Sequence, residues 1–305
     1  MNFFQLLFPD FSLILCGWLV CRYTALDRTV WQQAEALVYY FLFPVLLFQS
    51  IVRSPLDLGA ASSLIGAGVT LGLAGIALAY VLPWVPVIGR HIDRHDHAGA
   101  AQVAFRFNSF IALALAERVA GPKGLLSIAV LIGICVPMFN IGAVWPMARR
   151  SGAHFGGALL RNPLIVGTGS GLAANLLGFT LPAWIEPAVT RIGAASLALG
   201  LMAAGAGMQF GSLARGKVLA ASILGIRHFV LPVLALLIAR AFRLDANQTA
   251  VLLMFSALST ASSCYVLAAK MGYNGPYVAA LVTLSTLLAA ASLPFALGVL
   301  PMLGR

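Results

Sequence analysis

The chain alternates between long apolar stretches and short polar breaks from one end to the other. A helix needs about 20 apolar residues to cross the hydrocarbon core of a bilayer. Stretches close to that length cover residues 3–21, 30–52, 59–86, 99–116, 125–147, 160–178, 184–208, 218–239, 247–269 and 277–302. The pattern therefore predicts an all-α membrane protein with ten transmembrane helices.

Composition agrees with this pattern and excludes a soluble domain. Hydrophobic residues make up 61% of the chain and charged residues 9%, with a mean hydropathy of +0.95, whereas soluble domains carry about 25% charged residues. The formal net charge is +10, but the basic residues lie in the polar breaks and form no patch interleaved with aromatic residues. We therefore expect membrane lipid as a partner and no nucleic acid.

The distribution of Arg and Lys predicts an orientation. With the N-terminus outside, ten of these residues fall in inner loops and six in outer segments, and positive charge favours the cytoplasmic side. We expect a multi-pass protein of the cell (inner) membrane with both termini non-cytoplasmic.

Two features of the sequence bear on metal binding, namely the cysteines and one loop rich in His and Asp. The four cysteines show no metal-binding spacing and are typical of small buried apolar residues. The loop GRHIDRHDHAG (89–99) places His91 and His95 four residues apart, which would suit a metal and a membrane-embedded metalloenzyme. Such a loop is more typical of a solvated turn, and no second acidic cluster faces it. We expect no enzyme, no catalytic residue, no cofactor and no metal.

The two halves of the chain match each other. FPD (8–10) with Gly17 corresponds to NPL (162–164) with Gly171 at an offset of 154, and NSFIALALAERVAG (108–121) corresponds to STASSCYVLAAKMG (259–272) at an offset of 151. A unit of five spans must insert upside down relative to its twin. The match predicts two inverted five-helix repeats, 1–150 and 151–305, an arrangement typical of secondary transporters.

Polar residues in the middle of span four give the first candidate site. Arg106 lies ~13 Å into this span at 1.5 Å per residue, where an unpartnered charge costs about 2.5–3.5 kcal/mol; Asn108 and Ser109 lie close to the same depth. The repeat-related polar residues in span nine are Ser259, Thr260, Ser262 and Ser263. The two polar midspans predict broken helices four and nine that cross, with helix N-termini suited to an anion. Interhelical hydrogen bonding is the alternative role for these residues, and Arg106 can instead reach the interface.

Three further polar residues lie at membrane depth. Arg227 and His228 in span eight are candidate cavity or proton-coupling residues, and Asn140 in span five is a candidate cavity residue. The arginines favour a small organic anion, a mono- or dicarboxylate, as substrate, with a neutral or amino-acid-like metabolite as the alternative. A coupling proton or cation stays open.

Five stretches carry a family resemblance: YYFLFPVLLFQSI (39–51), FRFNSFIALALA (105–116), PMFNIGAVWPMA (137–148), RNPLIVGTGSGLAANLLG (161–178) and ALSTASSCYVLAAKMG (257–272). In sequence and order they resemble the auxin efflux carrier family, which includes bacterial transporters of malonate or malate. The resemblance implies ten spans in two inverted five-helix repeats and helices four and nine that unwind where they cross. It also implies an elevator-like movement, a homodimer, and a substrate contact at Asn108.

The chain departs from the family pattern at both crossing points. The family usually has Pro where Ser259 stands, and often Gly and Pro where Ala112 and Ala114 stand. Unwinding here must therefore come from Asn, Ser and tertiary packing rather than from missing backbone donors.

Overall fold

A computed structural model describes residues 3–53, 62–151, 163–208, 216–261 and 263–299, and these residues are predominantly helical, with no β-strand among them. The first helices are α1 (Phe3–Tyr23), α2 (Arg28–Leu37, continued through the π turn Val38–Leu42 into Phe43–Val52), α3 (Ser62–Trp84), α4 (Arg94–Ala100 and Gln102–Phe105) and α5 (Ser109–Ser151). The later helices are α6 (Pro163–Leu176), α7 (Glu186–Ala206), α8 (Lys217–Ala241), α9 (Ala246–Ala257), α10 (Ser263–Lys270) and α11 (Gly275–Pro294, continued by the π turn Phe295–Val299).

The helices coincide with the predicted apolar stretches, apart from their outermost residues, a break in the ninth stretch after Ala257, and two features of the first half. The fourth stretch is divided at residues 106–108, and its second part continues into the fifth as one long helix, α5. α5 bends where the backbone of Ala120 and Gly121 leaves helical geometry, and Gly121 has a φ of 60°. Among the described helices, four are long and apolar enough to cross a membrane: Ser62–Trp84, Val130–Met147, Lys217–Ala241 and Gly275–Gly298.

The polar breaks also carry the signals that start helices. Asp27, Asp93 and Asp245 each accept hydrogen bonds from the first turn of the following helix, as Asn274 does at the start of α11. A carboxylate or amide oxygen at this position satisfies backbone N–H groups that have no partner within the helix. Three of the nine acidic residues of the chain thus begin helices.

The helices pack in two groups. α1, α2, α6 and α7 pack mainly on one another, and we call them the panel. α3, α4, α5, α8, α9, α10 and α11 pack around the two helix breaks, and we call them the crossover group. The boundary between the groups runs along α2 and α6 on one side and α5 and α10 on the other.

Glycines bring the backbones of the panel helices into direct contact. A Cβ atom on Gly17 of α1 would lie 1.9 Å from the carbonyl oxygen of Met202 in α7, and one on Gly171 of α6 would lie 3.1 Å from the Cα of Phe48 in α2. The offset of 154 that relates Gly17 to Gly171 also relates Phe48 to Met202. Small residues allow helices in a membrane to pack this closely, and here the two contacts lie at matching positions of the two halves.

Candidate functional site

The first helix break lies between α4 and α5. Arg106 ends α4 with an extended backbone (φ −76°, ψ 147°), and residues 106–108 are not helical. The side-chain oxygen of Asn108 accepts a hydrogen bond from the N–H of Ile111 at 3.3 Å, which is the interaction of an N-cap residue. Asn108 thus starts α5, and Ser109, 8% exposed, is its first residue.

The second break lies between α9 and α10. The last helical residue of α9 is Ala257, after which Leu258 adopts an extended conformation (φ −58°, ψ 152°) and residues 259–261 are not helical. Ser263 begins α10. Of the predicted site residues, Ser262 lies outside the described part of the chain.

The two breaks meet through direct hydrogen bonds. The N–H of Asn108 donates to the carbonyl of Ser259 at 2.8 Å, and the hydroxyl of Thr260 donates to the carbonyl of Val103 at 2.7 Å. Unwound backbone is tolerated at membrane depth where the protein supplies such partners. The polar residues near Asn108 and Ser259 are therefore brought together at one place, which we call the crossover.

Arg106 links the two halves of the crossover. Its guanidinium donates to the side chain of Gln102 at 2.8 Å and to the hydroxyl of Ser263 at 2.9 Å, and the residue is 5% exposed. Gln102 in turn donates to the carbonyl of Cys264 at 3.1 Å. Arg106 is thus held inside the protein and does not extend to the membrane surface.

Arg227 donates hydrogen bonds to backbone carbonyls at the C-terminal end of α9. It lies in a π turn of α8 (Ile226–Val230), is 1% exposed, and donates to the carbonyl of Leu258 at 2.8 Å and to that of Phe255 at 3.4 Å. A cation at a helix C-terminus interacts favourably with the unsatisfied carbonyls there. The ion pairs among the described residues are Arg28–Glu35 and Arg53–Glu186, so neither Arg106 nor Arg227 has a described carboxylate against it.

His228 lies between two serines of α11. Its Nδ1 is 2.8 Å from the hydroxyl of Ser292 and its Nε2 is 2.9 Å from that of Ser285. Ser292 donates to the carbonyl of Ala257 at 3.0 Å, so the hydrogen between Ser292 and Nδ1 belongs to the imidazole. Ser285 accepts the N–H of Thr260 at 3.0 Å. His228 is therefore joined through serines to both sides of the second break.

Sequence reasoning did not identify Gln102, Ser285 and Ser292. The two serines are seven residues apart and so share one face of α11, but serine in an apolar helix is common enough that this spacing is a weak signal. Gln102 stands out only once its partners across the crossover are known.

Two buried polar atoms of predicted site residues have no hydrogen-bond partner among the described residues. These atoms are the hydroxyl of Ser259, which is 0% exposed, and the amide nitrogen of Asn140, which is 1% exposed. Buried polar atoms are nearly always paired, so each exception needs an explanation, and a bound water, ion or ligand is one of them.

The His and Asp side chains of the segment 89–99 make contacts within the protein. His91 and His97 bond to the backbone carbonyls of Val87 and Ala79. The groups that lie close together, within 4.8 Å, are those of Asp93, His95 and Asp96. Asp93 caps α4, His95 stacks on the ring of Tyr273, and Asp96 accepts from Asn274. The prediction of a solvated turn over 89–99 is therefore wrong for its second half, because residues 94–99 form the start of α4, where His97 is buried.

Comparison with known proteins points to a class of membrane proteins. "Putative malonate transporter" of Rhizobium meliloti (strain 1021) is 24% identical to the chain over 316 residues, which cover 94% of this chain and 92% of that protein. A family model described as "Membrane transport protein" matches residues 145–297, half of the chain. The chain therefore belongs to the membrane transport protein family, the auxin efflux carrier family that its sequence resembles, and is a multi-pass membrane transporter rather than an enzyme.

Proposed function

We propose that the protein is a secondary carrier of a small organic anion, a mono- or dicarboxylate such as malonate or malate, and that it binds this anion at the crossover. The name of the bacterial relative supports the substrate class. Charge supports it as well, because Arg106 and Arg227 are buried without a described carboxylate. A buried positive charge of this kind favours a negatively charged ligand.

One observation carries the proposal: two unwound segments meet at Asn108 and Ser259, and the Ser259 hydroxyl has no described partner. α5 and α10 both begin at this place, so their N-terminal N–H groups and positive dipole ends are directed to it. A carboxylate at the crossover would accept hydrogen bonds from groups of both helices. Polar residues that only hydrogen-bond neighbouring helices to each other would not need such a ligand.

Each site residue has a role in this proposal. The binding groups are Asn108, Ser109, Ser259, Thr260, Ser262 and Ser263, with Asn140 beside them. Arg106 supplies positive charge at the edge of the crossover. Arg227 and His228 hold the second break from behind, and His228 is the group through which coupling to a proton would act.

Movement between the panel and the crossover group is the proposed mechanism of transport. The panel is joined backbone to backbone, through Gly17 with Met202 and Gly171 with Phe48, and is suited to stay rigid. Their shared offset of 154 supports the ten-helix arrangement in two inverted repeats. An elevator-like displacement of the crossover group against the panel would expose the crossover to each side in turn. The inner membrane location, the outward termini and a homodimer remain predictions.

The first test is ligand binding to purified protein, measured as thermal stabilisation against carboxylates, amino acids and indole acids. A ligand that binds only the folded state stabilises it by RT ln(1 + [L]/Kd), about 2.7 kcal/mol at a hundredfold excess over Kd. We expect stabilisation by a carboxylate, abolished in Asn108→Ala. Stabilisation by neutral metabolites alone would overturn the substrate class, and undiminished binding in Asn108→Ala would overturn the site.

Two matched controls separate binding from folding. Asn175→Ala removes an amide that donates to the carbonyl of Ile51 within the panel, so it should lower stability but leave binding intact. Ser196→Ala removes another buried hydroxyl without a described partner, in α7. We expect Ser259→Ala to weaken binding and Ser196→Ala to leave it unchanged.

A further inference from the structure

A cavity with charged groups in its lining lies at the boundary between the panel and the crossover group. Its volume is about 300 Å³, and it opens where α2 begins and α10 ends. On the panel side the lining residues follow one stripe of α2, namely Arg28, Gln32, Glu35 and Ala36. On the other side the lining residues are Tyr265, Ala269 and Lys270 of α10 and Gly275, Pro276 and Ala279 of α11.

The charged groups of this cavity carry one net positive charge, because two cations face one carboxylate. Arg28 forms hydrogen bonds of 2.6 and 3.3 Å with the two carboxylate oxygens of Glu35 and lies over the ring of Tyr265 at 5.5 Å. Lys270 lies over the ring of Tyr40 at 3.7 Å and bonds to its hydroxyl. An ammonium has three donors and a guanidinium five, so both cations retain donors for a ligand.

The cavity is connected to the crossover by a single short helix. α10 runs from Ser263, which accepts a hydrogen bond from Arg106, to Lys270 at the cavity. The length of this helix is roughly 10 Å at 1.5 Å per residue. Tyr265 of α10 lies between these ends, with its ring against the Arg28 guanidinium. A substrate that enters between the two helix groups at this face would therefore meet Lys270 before it reaches Asn108.

We propose that this cavity is a receiving site, in which Lys270 and Arg28 hold the carboxylate of the substrate anion before it moves to the crossover. The inference rests on the proposed function, since it adds an earlier position on the path of the same substrate. A cleft with a net positive charge raises the local concentration and the association rate of a negatively charged ligand. Lys270 thus determines how fast the anion is captured, whereas Asn108 determines whether it is bound specifically.

The first experiment measures malonate uptake into proteoliposomes against substrate concentration and ionic strength. In Lys270→Gln we expect KM to rise roughly three- to tenfold with Vmax within about twofold, and the dependence of KM on salt to flatten. The matched control is Lys217→Gln, which removes an exposed cation that does not line the cavity. Equal KM and equal salt dependence in Lys270→Gln and the unaltered protein would overturn the proposal.

A second experiment detects the ligand in the cavity without transport. Cys16 and Cys21 are replaced by Ser, and a single cysteine is placed in the cavity by Gln32→Cys or outside it by Gln33→Cys, a neighbouring exposed glutamine that does not line it. We expect the Gln32→Cys thiol to react faster with an anionic than with a cationic thiosulfonate reagent, relative to Gln33→Cys. Added malonate should slow this reaction, and Lys270→Gln should abolish both effects.

The two proposals fail in different ways. The labelling is repeated in Asn108→Ala, where the crossover no longer binds substrate, and protection of the Gln32→Cys thiol by malonate should persist. Loss of protection there would show that malonate acts from the crossover, which overturns the receiving site and leaves the proposed function standing. Full transport by Asn108→Ala would overturn the proposed function, whatever the labelling shows.

Discussion

The contact between α1 and α7 allows one substitution to test how the panel is built. In Gly17→Ala the new Cβ would lie 1.9 Å from the carbonyl oxygen of Met202 and 2.6 Å from its Cα. A carbon and a carbonyl oxygen in close but unstrained contact are about 3.3 Å apart. The atoms in contact must therefore separate by roughly 1.4 Å, because the obstacle is backbone and no side chain can rotate away.

The magnitude follows from this displacement. Overpacking of a closely packed contact costs about 1–3 kcal/mol. A gap of about 0.5–1 Å already removes a quarter to a half of the dispersion energy of a neighbouring contact, so a separation of roughly 1.4 Å removes at least that much. Gly205, whose Cβ would lie 1.8 Å from the Ile14 carbonyl oxygen, lies on the same interface and would lose contact as well. Against this, Ala in a helix is favoured over Gly by up to about 1 kcal/mol.

We therefore expect Gly17→Ala to lower the free energy of unfolding by about 1–2 kcal/mol. At roughly 2 °C per kcal/mol for a chain of this size, Tm should fall by about 2–4 °C, measured by tryptophan fluorescence in detergent. The control is Gly169→Ala in α6, where a Cβ meets nothing within 4 Å and Tm should be unchanged or higher. A Tm for Gly17→Ala equal to or above that of the unaltered protein would refute the reasoning.

Two further predictions concern pairs of similar groups in different surroundings. Arg28→Gln leaves the buried Glu35 carboxylate without its partner and should lower the free energy of unfolding by about 3 kcal/mol. Arg53→Gln breaks an exposed ion pair and should change the free energy of unfolding by less than about 1 kcal/mol. Equal changes in Tm for the two variants would contradict this ranking. Thr260→Val removes a hydroxyl that donates across the crossover and should lower the free energy of unfolding by about 1–3 kcal/mol. The matched variant Thr286→Val removes a hydroxyl that donates within its own helix. If denaturation showed the two threonine variants to be equally stable, the crossover hydrogen bond would contribute nothing.

Helix positions were predictable because a membrane span is determined by local composition. Within the described residues, each apolar stretch contains a helix, and this follows from the length and hydropathy of the stretch alone. The point at which span four unwinds was predicted less fully. Arg106, Asn108 and Ser109 marked its depth, but nothing in their order shows that residues 106–108 become extended rather than kinked.

The contacts that complete the crossover could not be predicted, because they join residues far apart in the chain. Gln102 bonds to the carbonyl of Cys264, 162 residues away, and Arg106 to Ser263, 157 residues away. A single sequence carries no information about which of many serines and carbonyls meet. Arg227 illustrates the same limit. Its depth in span eight was predicted from the sequence, but its hydrogen bonds to the carbonyls at the end of α9 depend on how two helices cross.

The glycine contact between α1 and α7 has a consequence for how the protein assembles in the membrane. Met202 follows Gly17 by 185 residues, so α1 enters the bilayer long before its partner has been synthesised. The same holds for the crossover, where Asn108 is synthesised long before its hydrogen-bond partner Ser259. Each half of the chain thus finds its main partners in the other half. The boundary near residue 150 divides the sequence without dividing the folded molecule, and two fragments separated there would reach the native structure only by associating with each other.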